Sequence, residues 1–120
     1  PVTQFLTDEE LEDAIAQTKV GGATLTGLLG TSAWYAPGAA AGELVKAIIT
    51  DAKKLIPCCV YLEGEYGEDD LCIGVPVILG ADGVEKIVEL KLDGVEKDRF
   101  AESVAAARNT QNNLGDALKK

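Results

Sequence analysis

Residues 55–63 read LIPCCVYLE, residues 71–79 read LCIGVPVIL and residues 84–92 read VEKIVELKL. Each run is apolar, rich in Val, Ile and Leu, and bounded by turn residues, which is the pattern of a β-strand. Between the first two lies an acidic turn, Gly64-Glu65-Tyr66-Gly67-Glu68-Asp69-Asp70. Between the second and third lies Ala81-Asp82-Gly83, a hairpin signal because Asp-Gly tolerates positive φ. The three runs therefore read as a meander of antiparallel strands. The third carries Glu85, Glu89 and Lys91 on one side, so one face of the sheet is expected to meet water. Pro57 and Pro76 cannot donate to a ladder and point to edges or bulges.

Working outward, the period becomes helical on both sides. Leu6-Thr7-Asp8-Glu9-Glu10-Leu11 is a helix start. Thr7 is the N-cap, Glu10 completes a capping box, and Leu6 and Leu11 occupy the staple positions. Leu11, Ile15, Leu25 and Leu29 continue one apolar stripe to about Leu29. Gly21-Gly22 interrupts it, and the cost of ~1 kcal/mol per glycine predicts a kink or a close backbone neighbour. Gly30–Tyr35 reads as a connection, and Pro37 suits the first turn of a second helix that runs to about Thr50. That helix begins almost entirely with small residues, and Gly38, Ala41 and Gly42 share a face that admits a close neighbour: packing inside the domain, across a subunit interface, or against a ligand pocket. After Asp93-Gly94 a third helix starts near Val95, with Phe100, Val104 and Ala107 as a narrow apolar stripe. Asn109–Asn113 weakens the helix signal, and the last residues are expected to fray. The order of helix, helix, three strands and helix is α+β, with helices packed on an antiparallel sheet. With 120 residues the chain reads as one domain, residues 1–120.

Composition excludes several classes of function. Hydrophobic residues make up 47% and charged residues 26%, which is globular rather than disordered. The net charge of −9 argues against a nucleic-acid partner. No apolar run approaches the ~18 residues of a membrane-spanning helix. The chain has no histidine, so it supplies neither an imidazole base nor a Ser-His or Cys-His nucleophile pair. The first residue is Pro and there is no Met, which reads as a processed piece or an excised domain. Cys58, Cys59 and Cys72 match no zinc spacing and leave one over in any pairing scheme. They read as buried, reduced, hydrophobic cysteines suited to a reducing cytoplasm.

Tests for catalytic motifs come out negative. No two glycines are separated by a single residue, so the dinucleotide fingerprint is absent. Gly22 and Gly27 have P-loop spacing, but Leu28-Leu29 stands where Lys and a hydroxyl residue belong. Gly30-Thr31-Ser32-Ala33-Trp34 fails the nucleophile-elbow pattern at Trp34. The turn at Glu65–Asp70 lacks EF-hand spacing and reads as a solvated loop. Arg99 and Arg108, the only arginines, read as surface residues of the last helix. From the residues themselves, no catalytic group and no metal site is assigned to this chain.

One resemblance covers essentially the whole chain, thinning after Asn109. Gly21-Gly22-Ala23, Gly30-Thr31-Ser32-Ala33-Trp34-Tyr35-Ala36-Pro37, Tyr61-Leu62-Glu63-Gly64-Glu65-Tyr66-Gly67, Gly74-Val75-Pro76-Val77 and Gly83-Val84-Glu85-Lys86-Ile87 stand in order at sensible spacing. Together they resemble the C-terminal substrate domain of NAD-dependent malate dehydrogenases, in the lactate-dehydrogenase-like branch of the lactate/malate dehydrogenase family. Pro1-Val2-Thr3 fits the segment just downstream of that family's catalytic-histidine motif.

The resemblance implies a nucleotide-binding Rossmann domain, substrate-clamping arginines and a His-Asp relay upstream of Pro1. It implies NAD as cofactor, held mainly by that upstream domain, malate and oxaloacetate as substrates, and a place in the tricarboxylic acid cycle. By position, Ser32 and Ala33 would flank the substrate and Pro37 would pack near the nicotinamide. The helix at 37–50 would lie at a subunit interface of a homo-oligomer, a dimer or a tetramer. The small residues at 32–36 favour malate over lactate. Two readings compete with it: a free-standing dimerisation module without catalysis, and a lactate-type 2-hydroxyacid dehydrogenase. On the leading reading the 120 residues alone have no activity.

Overall fold

The structure is a computed structural model that describes residues 2–117, the side chains of Thr3 and of residues 115–117 excepted. It divides into two compact units, Pro1–Glu43 and Leu44–Lys120. The second helix, α2 (Tyr35–Ile49), crosses the boundary between them.

The first unit is helical. A short 3-10 turn at Val2–Gln4 precedes α1 (Asp8–Leu29). The capping box forms as the sequence predicts. The Glu10 N–H donates to the Thr7 hydroxyl at 3.3 Å, and the Thr7 N–H donates to the Glu10 carboxylate at 2.8 Å. At the other end Gly30 takes the left-handed conformation, φ 66°, and its N–H donates to the Thr26 carbonyl at 3.0 Å. Between these caps α1 runs uninterrupted through Gly21-Gly22. A Cβ on either glycine would meet nothing within 4 Å. The expected kink or close neighbour is therefore corrected: helix propagation is cooperative, and a helix capped at both ends absorbs the loss at two positions.

The caps lead to a pH-dependent expectation. The Thr7 N–H, and then the Thr7 hydroxyl, hold the Glu10 carboxyl below its ordinary value. A depressed carboxyl stabilises the fold above its unfolded value, and that contribution is lost as pH falls through the depressed one. Thr7→Ala is expected to destabilise α1 by about 1 kcal/mol at neutral pH. Thermal unfolding followed by helical circular dichroism should show the difference from the parent chain shrinking as Glu10 becomes protonated.

The second unit is a sheet covered on one face by a helix. Its strands are β1 (Lys54–Glu63), β2 (Asp69–Gly80) and β3 (Gly83–Ile87), antiparallel, in the order β1-β2-β3. The register pairs Cys58 with Val75, Val60 with Ile73 and Leu62 with Leu71. Side chains alternate across a strand, so these residues share one face. That face is the core: Leu62, Leu71, Ile73, Val75 and Val77, closed by Val104 with Phe100 and Ala107 beside it. The last three belong to α3 (Gly94–Ala117) and are the stripe read from sequence. Asp93 and Glu96 cap α3 reciprocally, at 2.9 and 3.0 Å. The helix continues through Asn109–Asn113 to Ala117; residues 118–120, on which the expectation of fraying also falls, lie outside the described residues, as does Pro1.

Three expectations are corrected in this unit. The third strand ends at Ile87 rather than Leu92, and Pro76 explains why. Pro57 lies on the edge strand β1, as expected, but Pro76 lies opposite it in the central strand. The Val88 N–H donates to the Pro76 carbonyl at 2.8 Å. Pro76 has no N–H to return, so the ladder stops there. The hydroxyl of Tyr66 takes over, donating to the Val88 carbonyl at 2.7 Å and accepting the Leu90 N–H at 3.0 Å.

The second correction concerns the acidic turn, which is tied to α3 rather than merely solvated. Arg108 is half-buried and donates to the Glu68 carboxylate at 2.6 Å and the Asp69 carbonyl at 3.1 Å. Gln111 donates to the Asp70 carbonyl at 3.0 Å.

The third correction concerns the cysteines. None is in a disulfide, but only Cys58 packs against the core; Cys59 and Cys72 are exposed. The register turns both away from the core face, and Cys72 lines a cleft with Tyr61 and with Ala107, Thr110 and Gln111 of α3. On that side Leu55 is 58% and Tyr61 51% exposed.

Candidate functional site

The residues singled out by sequence lie in the first unit, on the connection between α1 and α2. Gly30 ends α1, residues 31–34 have no helical structure, and α2 begins at Tyr35. Ser32 is exposed and Ala33 is half-buried on this connection. Pro37 is exposed in the first turn of α2. It costs the helix nothing there, because the first N–H groups of a helix have no partner within it. The Gly38 N–H closes the turn onto the Trp34 carbonyl at 2.9 Å. The segment thus brings Ser32, Ala33 and Pro37 within one short stretch of ordered chain.

Two aromatic rings mark the same stretch. Trp34 and Tyr35 have ring centroids 6.1 Å apart, and they are 58% and 76% exposed. Large exposed aromatics side by side form a surface that excludes water when something covers it. The connection carries no carboxylate and no cation. Its hydroxyls are those of Thr31 and Ser32, which can donate and accept hydrogen bonds. Among the described residues, no group of three or more His, Cys, Asp or Glu could hold a metal ion. No described helix is long and apolar enough to cross a membrane.

The small-residue face of α2 is open. A Cβ on Gly38 or Gly42 would meet nothing within 4 Å.

The second unit holds a cleft of about 480 Å³ that contains none of the sequence-predicted site residues. Its lining includes Tyr66, Leu92, Phe100 and Lys97. Tyr66 stands at φ 57° between two glycines of positive φ, Gly64 and Gly67. A left-handed conformation is uncommon for a bulky residue and must be held by its surroundings. Here its two hydroxyl hydrogen bonds hold it, with the Phe100 ring 5.1 Å away. Sequence reading placed Tyr66 in a turn and gave it no role. The signal available was Gly-x-Tyr-Gly followed, one strand later, by a proline that leaves a carbonyl unpaired.

The comparisons with known proteins extend over the whole described chain. Residues 2–116 match the model of the lactate/malate dehydrogenase family, alpha/beta C-terminal domain. The chain belongs to the lactate/malate dehydrogenase family. It is 64% identical over 110 residues to a malate dehydrogenase of Bacteroides thetaiotaomicron, covering 92% of this chain and 35% of that protein. It is 57% identical over 119 residues to a malate dehydrogenase of Flavobacterium frigidimaris, covering 99% of this chain and 37% of that one. Among solved structures, a malate dehydrogenase from Salinibacter ruber superposes with a TM-score of 0.93 at 45% identity, over 99% of this chain and 39% of that one. The chain therefore spans little more than a third of the length of the family members it matches. The helices and the three-stranded antiparallel sheet are the α/β C-terminal fold of this family.

Proposed function

We propose that this chain works as the C-terminal substrate domain of an NAD-dependent malate dehydrogenase, within a longer protein that interconverts malate and oxaloacetate. The observation that carries the reading is the match over residues 2–116, joined to relatives called malate dehydrogenase at 57–64% identity. The chemistry of this chain fits a wall-forming role. It has no histidine, no dinucleotide fingerprint and no cluster of arginines.

In this reading Ser32 and Ala33 flank the substrate, and Pro37 packs near the nicotinamide. NAD, when bound, accepts a hydride from C2 of malate. The residues of this chain fit one part of that cofactor. Pro37 offers exposed apolar surface suited to a flat ring. Ser32 and Ala33 limit the volume beside C2 and help keep water from the reacting atoms, which strengthens charge interactions supplied from elsewhere. The hydroxyl proton and the substrate carboxylates belong to groups outside these 120 residues. The open face of Gly38 and Gly42 supports a homo-oligomer that meets through α2. Three cysteines without a disulfide support a cytoplasmic location.

Ala33→Leu in the longer protein tests the pocket assignment. The added side chain should lower kcat/KM for malate about 10–100-fold while the fold persists. Unchanged kcat/KM would remove Ala33 from the pocket. A variant or parent that prefers lactate to malate would support the lactate-type reading.

A further inference from the structure

We propose that Asp51, Lys53 and Glu85 form an ionic latch on the joint between α2 and β1, and that this joint opens by releasing the latch while the core stays closed. All three residues belong to the second unit. Lys53 lies between two carboxylates. Its ammonium donates to both oxygens of Glu85, at 2.8 and 2.9 Å, and stands 3.4 Å from the Asp51 carboxylate. Asp51 in turn accepts the Ala81 N–H at 2.9 Å. The joint, the hairpin turn and β3 are thus tied at one point.

Three separate departures from regular backbone converge there. Asp51 and Lys53 both have positive φ, 45° and 46°. Aspartate visits this region on its own, whereas lysine has to be held in it by its surroundings. Glu85 is the extra residue of a bulge. Leu79 pairs with Val84 and Ile78 with Lys86, which leaves Glu85 without a partner across the ladder. A bulge of this kind re-aims a side chain. Gly80 leaves the space. A Cβ built on it would meet the Glu85 carboxylate and, at 2.8 Å, the Asp51 carboxylate. Each departure weakens the chain locally, and each helps to bring the three charges together.

None of the three residues belongs to the core of the sheet. Besides the latch, the joint is closed by the Asp51 N–H on the Ile48 carbonyl at 3.1 Å and the Ala52 N–H on the Ala47 carbonyl at 2.9 Å. Local opening begins where few core contacts oppose it. Once Glu85 lets go, nothing in the latch holds Lys53 in the left-handed region, and the joint relaxes without disturbing the strands behind it.

The test is hydrogen exchange, read by peptide mass, on the longer protein that contains this chain. Exchange at residues 50–53 should quicken about 3–10-fold in Glu85→Ala, and likewise in Gly80→Ala, which keeps every charge and displaces the carboxylates. Exchange at residues 71–77 should not change. Glycine adopts positive φ freely, so Lys53→Gly added to Glu85→Ala should return protection at residues 50–52 to that of the parent. Loss of an ion pair alone predicts no such recovery. A second reading needs no variant to fold. In the unsubstituted protein, salt at about 1 M screens exposed charges and should quicken exchange at residues 50–53 relative to 71–77. No quickening with salt, no quickening in Glu85→Ala, equal quickening at 71–77, or no recovery with Lys53→Gly would each overturn the proposal.

Discussion

Leu62→Ala is expected to destabilise the second unit by about 3–4 kcal/mol, a large part of the 5–15 kcal/mol that holds a typical domain together. Leu62 has no exposed surface, lies in β1 opposite the equally buried Leu71, and belongs to the core closed by Val104 of α3. Truncation removes the transfer energy of the lost atoms and leaves a cavity between the sheet and α3. Leu55, in the same strand, gives the control. It faces the other side and is 58% exposed. Leu55→Ala is expected to change stability by no more than about 0.5 kcal/mol. Guanidinium denaturation of both variants, followed by strand circular dichroism, measures the contrast. Equal effects would mean that the face assignment of β1 is wrong.

Tyr66→Phe is the second large effect. The ring stays, and with it the packing on Phe100. What goes is the hydroxyl that satisfies the Val88 carbonyl and the Leu90 N–H. Water can replace the partner of the exposed Leu90 N–H, but leaving the partly buried Val88 carbonyl without one costs about 1–2 kcal/mol. Because Pro76 is the reason that the Val88 carbonyl needs an outside donor, the cost should depend on residue 76. Pro76→Ala restores an N–H that can complete the pair with Val88. The effect of Tyr66→Phe should be smaller in that background, and a double-mutant cycle reads the difference as a coupling energy. Strictly additive effects would show that Tyr66 and Pro76 act independently.

Most of the fold was legible in the sequence because its signals are local or periodic. The strands declared themselves through apolar runs between turn residues, and α1 through Thr7 and Glu10. What was missed depends on contacts between residues far apart in sequence. The apolar pattern of residues 84–92 continues past Ile87, but the strand cannot, because its neighbour presents a proline there. Tyr66 and Val88 meet only once the meander has folded. Arg108 looked like a surface residue because nothing on α3 shows that Glu68 and Asp69 lie beneath it. The cysteines misled for a related reason. Their type suggests burial, whereas alternation along β1 and β2 turns Cys59 and Cys72 away from the core face and leaves them exposed.

The candidate site was legible in a different way. Ser32, Ala33 and Pro37 carry no intrinsic chemical signal, and their assignment came from resemblance to a family. The structure adds that Ser32 and Ala33 sit on the connection between two helices and Pro37 in the first turn of the second. Read from the residues alone, that connection carries no carboxylate and no cation, so the proposed role is one of shape.

The most direct measurement of the central claim is NADH formation from malate and NAD, assayed side by side for the longer protein that contains this chain and for the 120 residues alone. Turnover is expected from the longer protein, with malate preferred to lactate, and none from the 120 residues at any concentration of NAD. Turnover by the 120 residues, or a longer protein that oxidises neither malate nor lactate, would contradict that claim.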